Sequence, residues 1–474
     1  MMVSAHSNMD STAIRNRVIE YRKLHPVFIY ERFTIEDLDS SLLVEYYYRI
    51  PPNLAFKTSI LFESVPKSWR VVSKSLIHNL IFHLGLVESL SYWKTTCSPL
   101  IMINAGSLNL EQIEWWKDLL LKGMGEFFCV NNIDFTGQDF VAMSVAKEAP
   151  SYAPFDHALR TRSILPLGGG RDSAFTAGSF YEARKEFNCM LLNPAPAARR
   201  IAHAVGCDNP IVVQRRLDPS LLKLNQAGYL NGHTPFSACL AFLNAICLAI
   251  YDYTNIVIAN ERSSDEGNTV FLDKNINHQY SKSFAFEEGF DRYLQEYLVP
   301  NGRYFSFVRS LYELQIGQAF TRFPELFSLF RSCNKNQKED TWCGNCPKCL
   351  SVFITLYPFV SSEDIKKIFQ ADYYENENSI RIIKELVGLS NHKPYECVAT
   401  FQEVTAGLYL SINKCEQEGR SLPPALRFAK ATVIPAEAET LAASILRENG
   451  SRDRLPLEFQ DVLLLGKRHD LTRT

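Results

Sequence analysis

The stretch Ser163-Ile164-Leu165-Pro166-Leu167-Gly168-Gly169-Gly170-Arg171-Asp172-Ser173 constrains the fold more than any other part of the chain. A short apolar run meets three consecutive glycines, and an Asp-Ser pair then opens Ala174-Phe175-Thr176-Ala177, which reads as helix. Strand, glycine loop and helix N-terminus in that order make a seat for a phosphate. Glycines let backbone N–H groups approach an anion without interference from Cβ, and the helix end adds its positive dipole. An Asp beside the phosphates suits Mg²⁺, and a Ser hydroxyl adds one hydrogen bond. Two other phosphate loops do not fit: no Lys follows as a Walker loop requires, and Ser173 stands where the dinucleotide fingerprint needs its third glycine. A glycine-rich turn without a ligand is the plain alternative.

Strand and helix patterns alternate around this loop. The helix after Ser173 is expected to run to near Asn188, followed by a strand at Cys189-Met190-Leu191-Leu192. Asn193-Pro194-Ala195-Pro196 breaks it, because proline cannot continue a regular ladder. Arg199 to Val205 reads as a short helix, Pro210 to Val213 as a strand, Phe236 to Tyr251 as a helix and Asn255 to Ala259 as a strand. The expected fold class is α/β, a doubly wound parallel sheet. In such sheets ligands bind at the carboxyl ends of the strands. The glycine loop is one such end, and the polar run Asn260-Glu261-Arg262-Ser263-Ser264-Asp265-Glu266-Gly267-Asn268 is another. Its charges suit a metal, a phosphate or a carboxylate; a solvated loop is the alternative. The turn Gly232-His233-Thr234-Pro235 brings His233 toward the same face, although a lone turn histidine is more often structural.

Residues 1–150 read as an α+β domain and a candidate for binding substrate. Pro26 to Tyr30 and Leu43 to Tyr48 are aromatic-rich strands, while Lys74 to Tyr92 and Leu110 to Leu121 are helical. Most of the aromatics, Trp115 and Trp116 among them, read as core, while an exposed aromatic would suit stacking on a base or sugar. Ser151 to Pro154 connects to an α/β domain over 151–330, a cysteine segment over 331–360 and a helical region over 361–474. There, Ser361 to Val387 reads as one charged amphipathic helix, Asn391 to Pro394 as a turn, and Arg447 to Thr474 as a charged, partly disordered tail.

Hydrophobic content of 46% and charged content of 22% describe an ordinary soluble protein. The formal net charge of −2 leaves no basic surplus for a nucleic acid. The longest apolar stretch, Phe236 to Tyr251, contains Asn244 and is short for a membrane span. Met1 to Ser11 carries no apolar signal core, so the 12 cysteines are expected to be thiols or metal ligands in the cytoplasm. Cys333, Cys343, Cys346 and Cys349 match a structural tetrahedral Zn²⁺ site, with Gly344 and Pro347 permitting tight knuckles. An iron–sulfur cluster and a redox pair are the rivals. Cys239 and Cys247 read as small core residues.

The glycine stretch resembles the PP-loop of ATP pyrophosphatases, Ser-Gly-Gly-x-Asp-Ser, with Gly168 in place of the first Ser. Over roughly residues 25–440 the chain resembles the MurL-type enzymes, which epimerise the terminal L-glutamate of UDP-N-acetylmuramoyl-L-alanyl-L-glutamate. The resemblance rests on Leu90 to Pro99, Ile113 to Leu119, Gly123 to Phe128, Gly168 to Ser173, Asn260 to Asn268 and Trp342 to Cys349. It implies ATP and Mg²⁺ as cofactors, a UDP-muramoyl-dipeptide substrate, and no nucleic-acid or membrane partner. Gly168, Gly169, Gly170, Arg171 and Ser173 would then hold ATP, with Asp172 placing Mg²⁺. His233, Glu261, Asp265 and Glu266 are the acid/base candidates, and Asn260, Arg262 and Ser263 would meet the substrate. Two alternatives stay open: a PP-loop ligase on another carboxylate, which would need an amine for turnover, and a zinc-stapled binding protein that has lost ATP.

Overall fold

The computed structural model describes residues 11–67, 74–390, 392–448, 450 and 452–467. The expected polar start of the chain, Asn391 of the expected turn, and Asn449, Ser451 and the last seven residues of the tail lie outside them. The chain divides into two compact units that are not consecutive blocks. One gathers the described residues of Met1–Ile164, Ile211–Ile256 and Val270–Tyr304; the other gathers those of Leu165–Pro210, Val257–Thr269 and Phe305–Thr474.

The first unit contains a mixed sheet. Its strand order is Ile211–Arg216, Leu54–Phe62, Leu42–Ile50, Val27–Asp37, Leu100–Ile103, Ala142–Val145. The first three pairings are antiparallel and the last two parallel. Leu42, Val44, Tyr46, Tyr48 and Ile50 alternate inward, as a strand with one buried face requires. The helix Lys74–Trp93 covers that face and comes closest at Gly85, whose carbonyl accepts the Tyr48 hydroxyl at 2.7 Å. A Cβ on Gly85 would overlap the Tyr30 hydroxyl, so only glycine permits this approach. The helix Phe236–Tyr251 packs on Lys74–Trp93, and Cys239 and Cys247 are buried in it. Cys239 is more than filler, since its thiol donates to Glu88 Oε1 at 2.9 Å, where Arg215 also pairs at 2.7 Å.

The strand expected at Pro210 to Val213 departs from a parallel, doubly wound arrangement. It runs Ile211–Arg216 and pairs antiparallel with Leu54–Phe62, matching Val213 to Phe62. The edge of Leu54–Phe62 has backbone donors and acceptors that need partners, and this apolar run supplies them. Parallel pairing is found between Ser163–Pro166 and Asn255–Ile258. The fold is thus mixed α/β.

In the second unit a core of Leu165, Phe175, Phe180, Leu191, Val257, Phe307 and Phe353 is wrapped by helices. The helix Arg171–Glu182 stops short of Asn188 because Arg184 turns left-handed (φ +53°) and Phe187 begins the strand Phe187–Leu192. Ser361 to Val387 forms two helices, Ser362–Phe369 and Asn378–Leu386, since Gln370 ends the first with φ +62°. Within the tail, Leu457–Lys467 is a helix that stacks Phe459 on Phe180 with ring centroids 5.3 Å apart. Among the described residues, no helix is long and apolar enough to cross a membrane.

Candidate functional site

The glycine loop lies in the second unit. Gly170 is the extended N-cap of Arg171–Glu182 and offers no side-chain cap. Gly169 has φ +90°, and a Cβ there would fall 2.8 Å from the Ala198 nitrogen in the first turn of the helix Pro196–Ala204. Gly168 is exposed, and a Cβ there would have no other atom within 4 Å. A single segment braces this loop. Arg331 N–H donates to the Gly169 carbonyl at 2.8 Å, Gln337 Nε2 to the Gly168 carbonyl at 3.2 Å, and Arg171 N–H to Ser332 Oγ at 3.1 Å. Ser173 Oγ donates back to the Gly170 carbonyl at 3.1 Å.

Buried charges surround the start of the helix. Arg171, 1% exposed, turns its guanidinium inward to Asp172 at 2.9 Å, Glu313 at 3.2 Å and Thr355 Oγ1 at 2.7 Å. Lys348 reaches the other Glu313 oxygen at 3.1 Å. Burial opposes the charge on Arg171, but Asp172 and Glu313 outweigh it and hold its pKa above the ordinary value. Lys348 is likewise raised against burial by Glu313 and Asp172. Glu261 contributes to both shifts, which links the post-strand polar loop to the glycine loop.

That polar loop is largely structural in its bonding. Asn260 exchanges hydrogen bonds with Ser306 Oγ through its own N–H at 3.0 Å and carbonyl at 2.6 Å. Glu261 is buried, and its carbonyl accepts from Arg309 Nη1 at 2.9 Å and Ser264 Oγ at 2.6 Å. Ser263 Oγ donates to Glu403 Oε2 at 2.7 Å and accepts the Glu313 N–H at 3.3 Å. Burial raises the Glu403 pKa, against the Ser263 hydrogen bond. Glu266 is pinned by the buried Lys393 at 2.8 Å, while Asp265 is exposed. Arg262 stacks over the Tyr312 ring at 4.3 Å, and its buried Nη1 has no hydrogen-bond partner among the described residues. That nitrogen is suited to an incoming carboxylate.

The four cysteine sulfurs lie within 4.8 Å of one another, with Cys343 and Cys349 at 3.8 Å. Four sulfurs about 2.3 Å from one ion would sit about 3.8 Å apart, so the spacing fits tetrahedral Zn²⁺. Backbone N–H groups of Asn336, Asn345 and Cys349 point to Cys333, Cys343 and Cys346 at 3.3, 3.5 and 3.4 Å. Gly344 turns the knuckle with φ +64°. Hydrogen bonds from Cys346 and Cys349 push the Cys333 thiol well down toward thiolate.

Residues 20–307 match the family model of the MurL N-terminal domain, and residues 329–440 match that of the MurL C-terminal domain. The chain belongs to the MurL family. It is 29% identical over 340 residues to the UDP-N-acetyl-alpha-D-muramoyl-L-alanyl-L-glutamate epimerase of Xanthomonas oryzae pv. oryzae (strain MAFF 311018), covering 70% of this chain and 74% of the relative. The enzyme of the same name from Salinispora tropica (strain ATCC BAA-916 / DSM 44818 / JCM 13857 / NBRC 105044 / CNB-440) is 29% identical over 410 residues, 84% of this chain and 86% of the relative.

In this MurL-family chain His233 belongs to the first unit, apart in the chain division from Glu261, Asp265 and Glu266. Its Nδ1 lies 3.5 Å from Glu126 Oε2, and His278 bonds the same oxygen. Burial, then His278 and Lys94, lower the His233 pKa to about 3, so the imidazole is neutral. Burial and Arg215 lower Lys94 to about 8, and its ammonium donates to the Gly232 carbonyl at 2.7 Å. Sequence reasoning missed Glu313, Ser332 and Lys348 beside the glycine loop, Glu403 beside Ser263, and Glu126 and His278 beside His233. Lys348 stands inside the Cys346–Cys349 motif and Glu126 inside the Gly123–Phe128 stretch, and both were open to notice; the others carry no local signal.

Proposed function

We propose that this chain is an ATP- and Mg²⁺-dependent epimerase that inverts the terminal L-glutamate of UDP-N-acetylmuramoyl-L-alanyl-L-glutamate, a peptidoglycan precursor, in the cytoplasm. The observation that carries the ATP part is the helix N-terminus at Gly170, which has no side-chain cap from that residue and follows a loop where Gly168 is open. Such an end attracts phosphate. The names of the MurL relatives supply the substrate.

The chemistry asks for activation. The α-proton of a free carboxylate is hard to remove, because the resulting dianion is poorly stabilised. A carboxylate oxygen attacking the α-phosphorus of ATP expels pyrophosphate and leaves an acyl-adenylate, whose α-carbon is more acidic. A base removes that proton, a proton returns from the opposite face, and water releases AMP. Epimerisation is nearly thermoneutral, so ATP supplies the direction. Gly168, Gly169, Gly170 and Ser173 would hold phosphates and Asp172 the Mg²⁺, while Arg171 supports the loop from behind through Asp172 and Glu313. Arg262, with its unpartnered buried Nη1, suits the substrate carboxylate. Glu261, Asp265, Glu266 and His233 are the proton-transfer candidates.

The test is one incubation with the dipeptide substrate, ATP and Mg²⁺ in deuterated water. AMP release with deuterium at the glutamate α-carbon and D-glutamate after hydrolysis is the expected result. AMP without deuterium would sink the epimerase and retain an AMP-forming enzyme.

A further inference from the structure

We propose that Glu126, His233 and His278 form a second metal site, for a zinc-type divalent transition ion with one coordination position left to water or another oxygen ligand. Their donor atoms lie within 4.8 Å of one another. Both histidines aim Nδ1 at Glu126 Oε2, and their ring centroids are 4.4 Å apart. The site is separate from the cysteine cluster, and with His233 as a ligand the proton-transfer candidates narrow to Glu261, Asp265 and Glu266.

Three segments of the first unit deliver the ligands, and each is held by close packing. Glu126 lies in the short helix Gly125–Val130. His233 comes from the loop 231–235, which sits tight against neighbouring elements. A Cβ on Gly123 would fall 2.9 Å from Pro235, and one on Gly232 would fall 3.0 Å from the Phe127 ring. Lys94 Nζ and Asn131 Nδ2 then bond the carbonyls of Gly232 and Asn231 at 2.7 and 3.0 Å. His278 follows the strand Lys274–Ile276, where Ile276 packs 3.4 Å from a Cβ place on Gly125. Two residues on, the Tyr280 hydroxyl donates to Asp118 at 3.1 Å. The ligand positions are thereby preorganised.

A carboxylate accepting two imidazole N–H bonds is the plain alternative. It needs a hydrogen bond from His233, whose Nδ1 stands 3.5 Å from Glu126 Oε2, beyond the ordinary range. Two ligand atoms about 2.0–2.1 Å from one tetrahedral ion sit about 3.3 Å apart, which that separation fits. Two imidazoles and one carboxylate suit zinc and its transition-metal neighbours rather than Mg²⁺ or Ca²⁺, which prefer oxygen. With three protein ligands, tetrahedral zinc keeps a fourth position open.

The test uses the full chain, stripped of metal and reloaded with Zn²⁺ or Co²⁺. Zinc per chain by elemental analysis is expected to fall by one equivalent in Glu126→Gln and in His233→Ala/His278→Ala. The thiolate-to-cobalt charge-transfer absorption of the cysteine site is expected to persist in both variants. Glu126→Gln keeps the side chain's shape, and wild-type stoichiometry needs no variant at all. A wild-type chain that binds metal only through thiolates would overturn the proposal, as would variants that keep the full zinc content.

Discussion

The backbone N–H of Arg171 donates to the Ser332 hydroxyl at 3.1 Å, and Ser332 directly precedes Cys333, the first of the four clustered cysteines. The first turn of the glycine-loop helix is thus bonded to the segment whose course the cysteines constrain. Lys348, between Cys346 and Cys349, reaches Glu313 from the other side. Removing metal from the cysteine cluster is therefore expected to weaken ATP binding about tenfold or more, with recovery on adding Zn²⁺. Nucleotide titration before and after chelation checks this; an unchanged affinity would uncouple cluster and loop.

The three glycines of the loop are not equivalent. Gly169→Ala must adopt φ +90° and place its Cβ 2.8 Å from the Ala198 nitrogen. A loss of about 1–3 kcal/mol in stability is expected. Gly168→Ser meets open space and restores the hydroxyl of the PP-loop pattern. It should leave stability within about 0.5 kcal/mol and tighten ATP binding. Chemical denaturation with nucleotide titration reads both, and equal effects at the two positions would count against the assigned geometry.

Glu313 is fully buried between Arg171 and Lys348. Glu313→Gln keeps the shape but leaves two buried cations short of a counter-charge, costing about 3–5 kcal/mol. Adding Lys348→Met should return part of that loss. Urea unfolding of the single and double variants decides it, and additive losses would deny the coupling.

His83 is buried, with Nδ1 2.8 Å from the Asn79 carbonyl, and burial lowers its pKa to about 4. The unfolded chain, with an ordinary histidine pKa near 6.5, takes up a proton first as pH falls. The stabilisation is thus complete above about pH 6.5 and lost progressively down to about pH 4, amounting to about 3 kcal/mol. Unfolding free energies at pH 7 and 4.5 should show that slope, and His83→Phe should reduce it, with His233 supplying a further part.

Local chemistry was legible wherever it depends on neighbours in the chain. The helix Phe236–Tyr251 is apolar over most of its length and formed where the pattern placed it. The cysteine cluster was legible because three of its thiols fall within seven residues, Cys343 to Cys349. The strand at Ile211–Arg216 was recognised as a strand but not in its antiparallel pairing, since an apolar run does not say which edge it joins. The single helix expected over 361–387 hid a break, because Gln370 carries no glycine or proline to announce its left-handed turn.

The sequence by itself determined two local arrangements: consecutive glycines before a helix, and four closely spaced thiols. Only the tertiary structure decided which charges neutralise one another. Arg171 meets Glu313 across 142 residues and Glu126 meets His278 across 152. A buried charge must find a partner, but many residues of the right sign lie that far along any chain. Packing selects one of them, through close approaches such as Gly123 to Pro235 that no local pattern encodes.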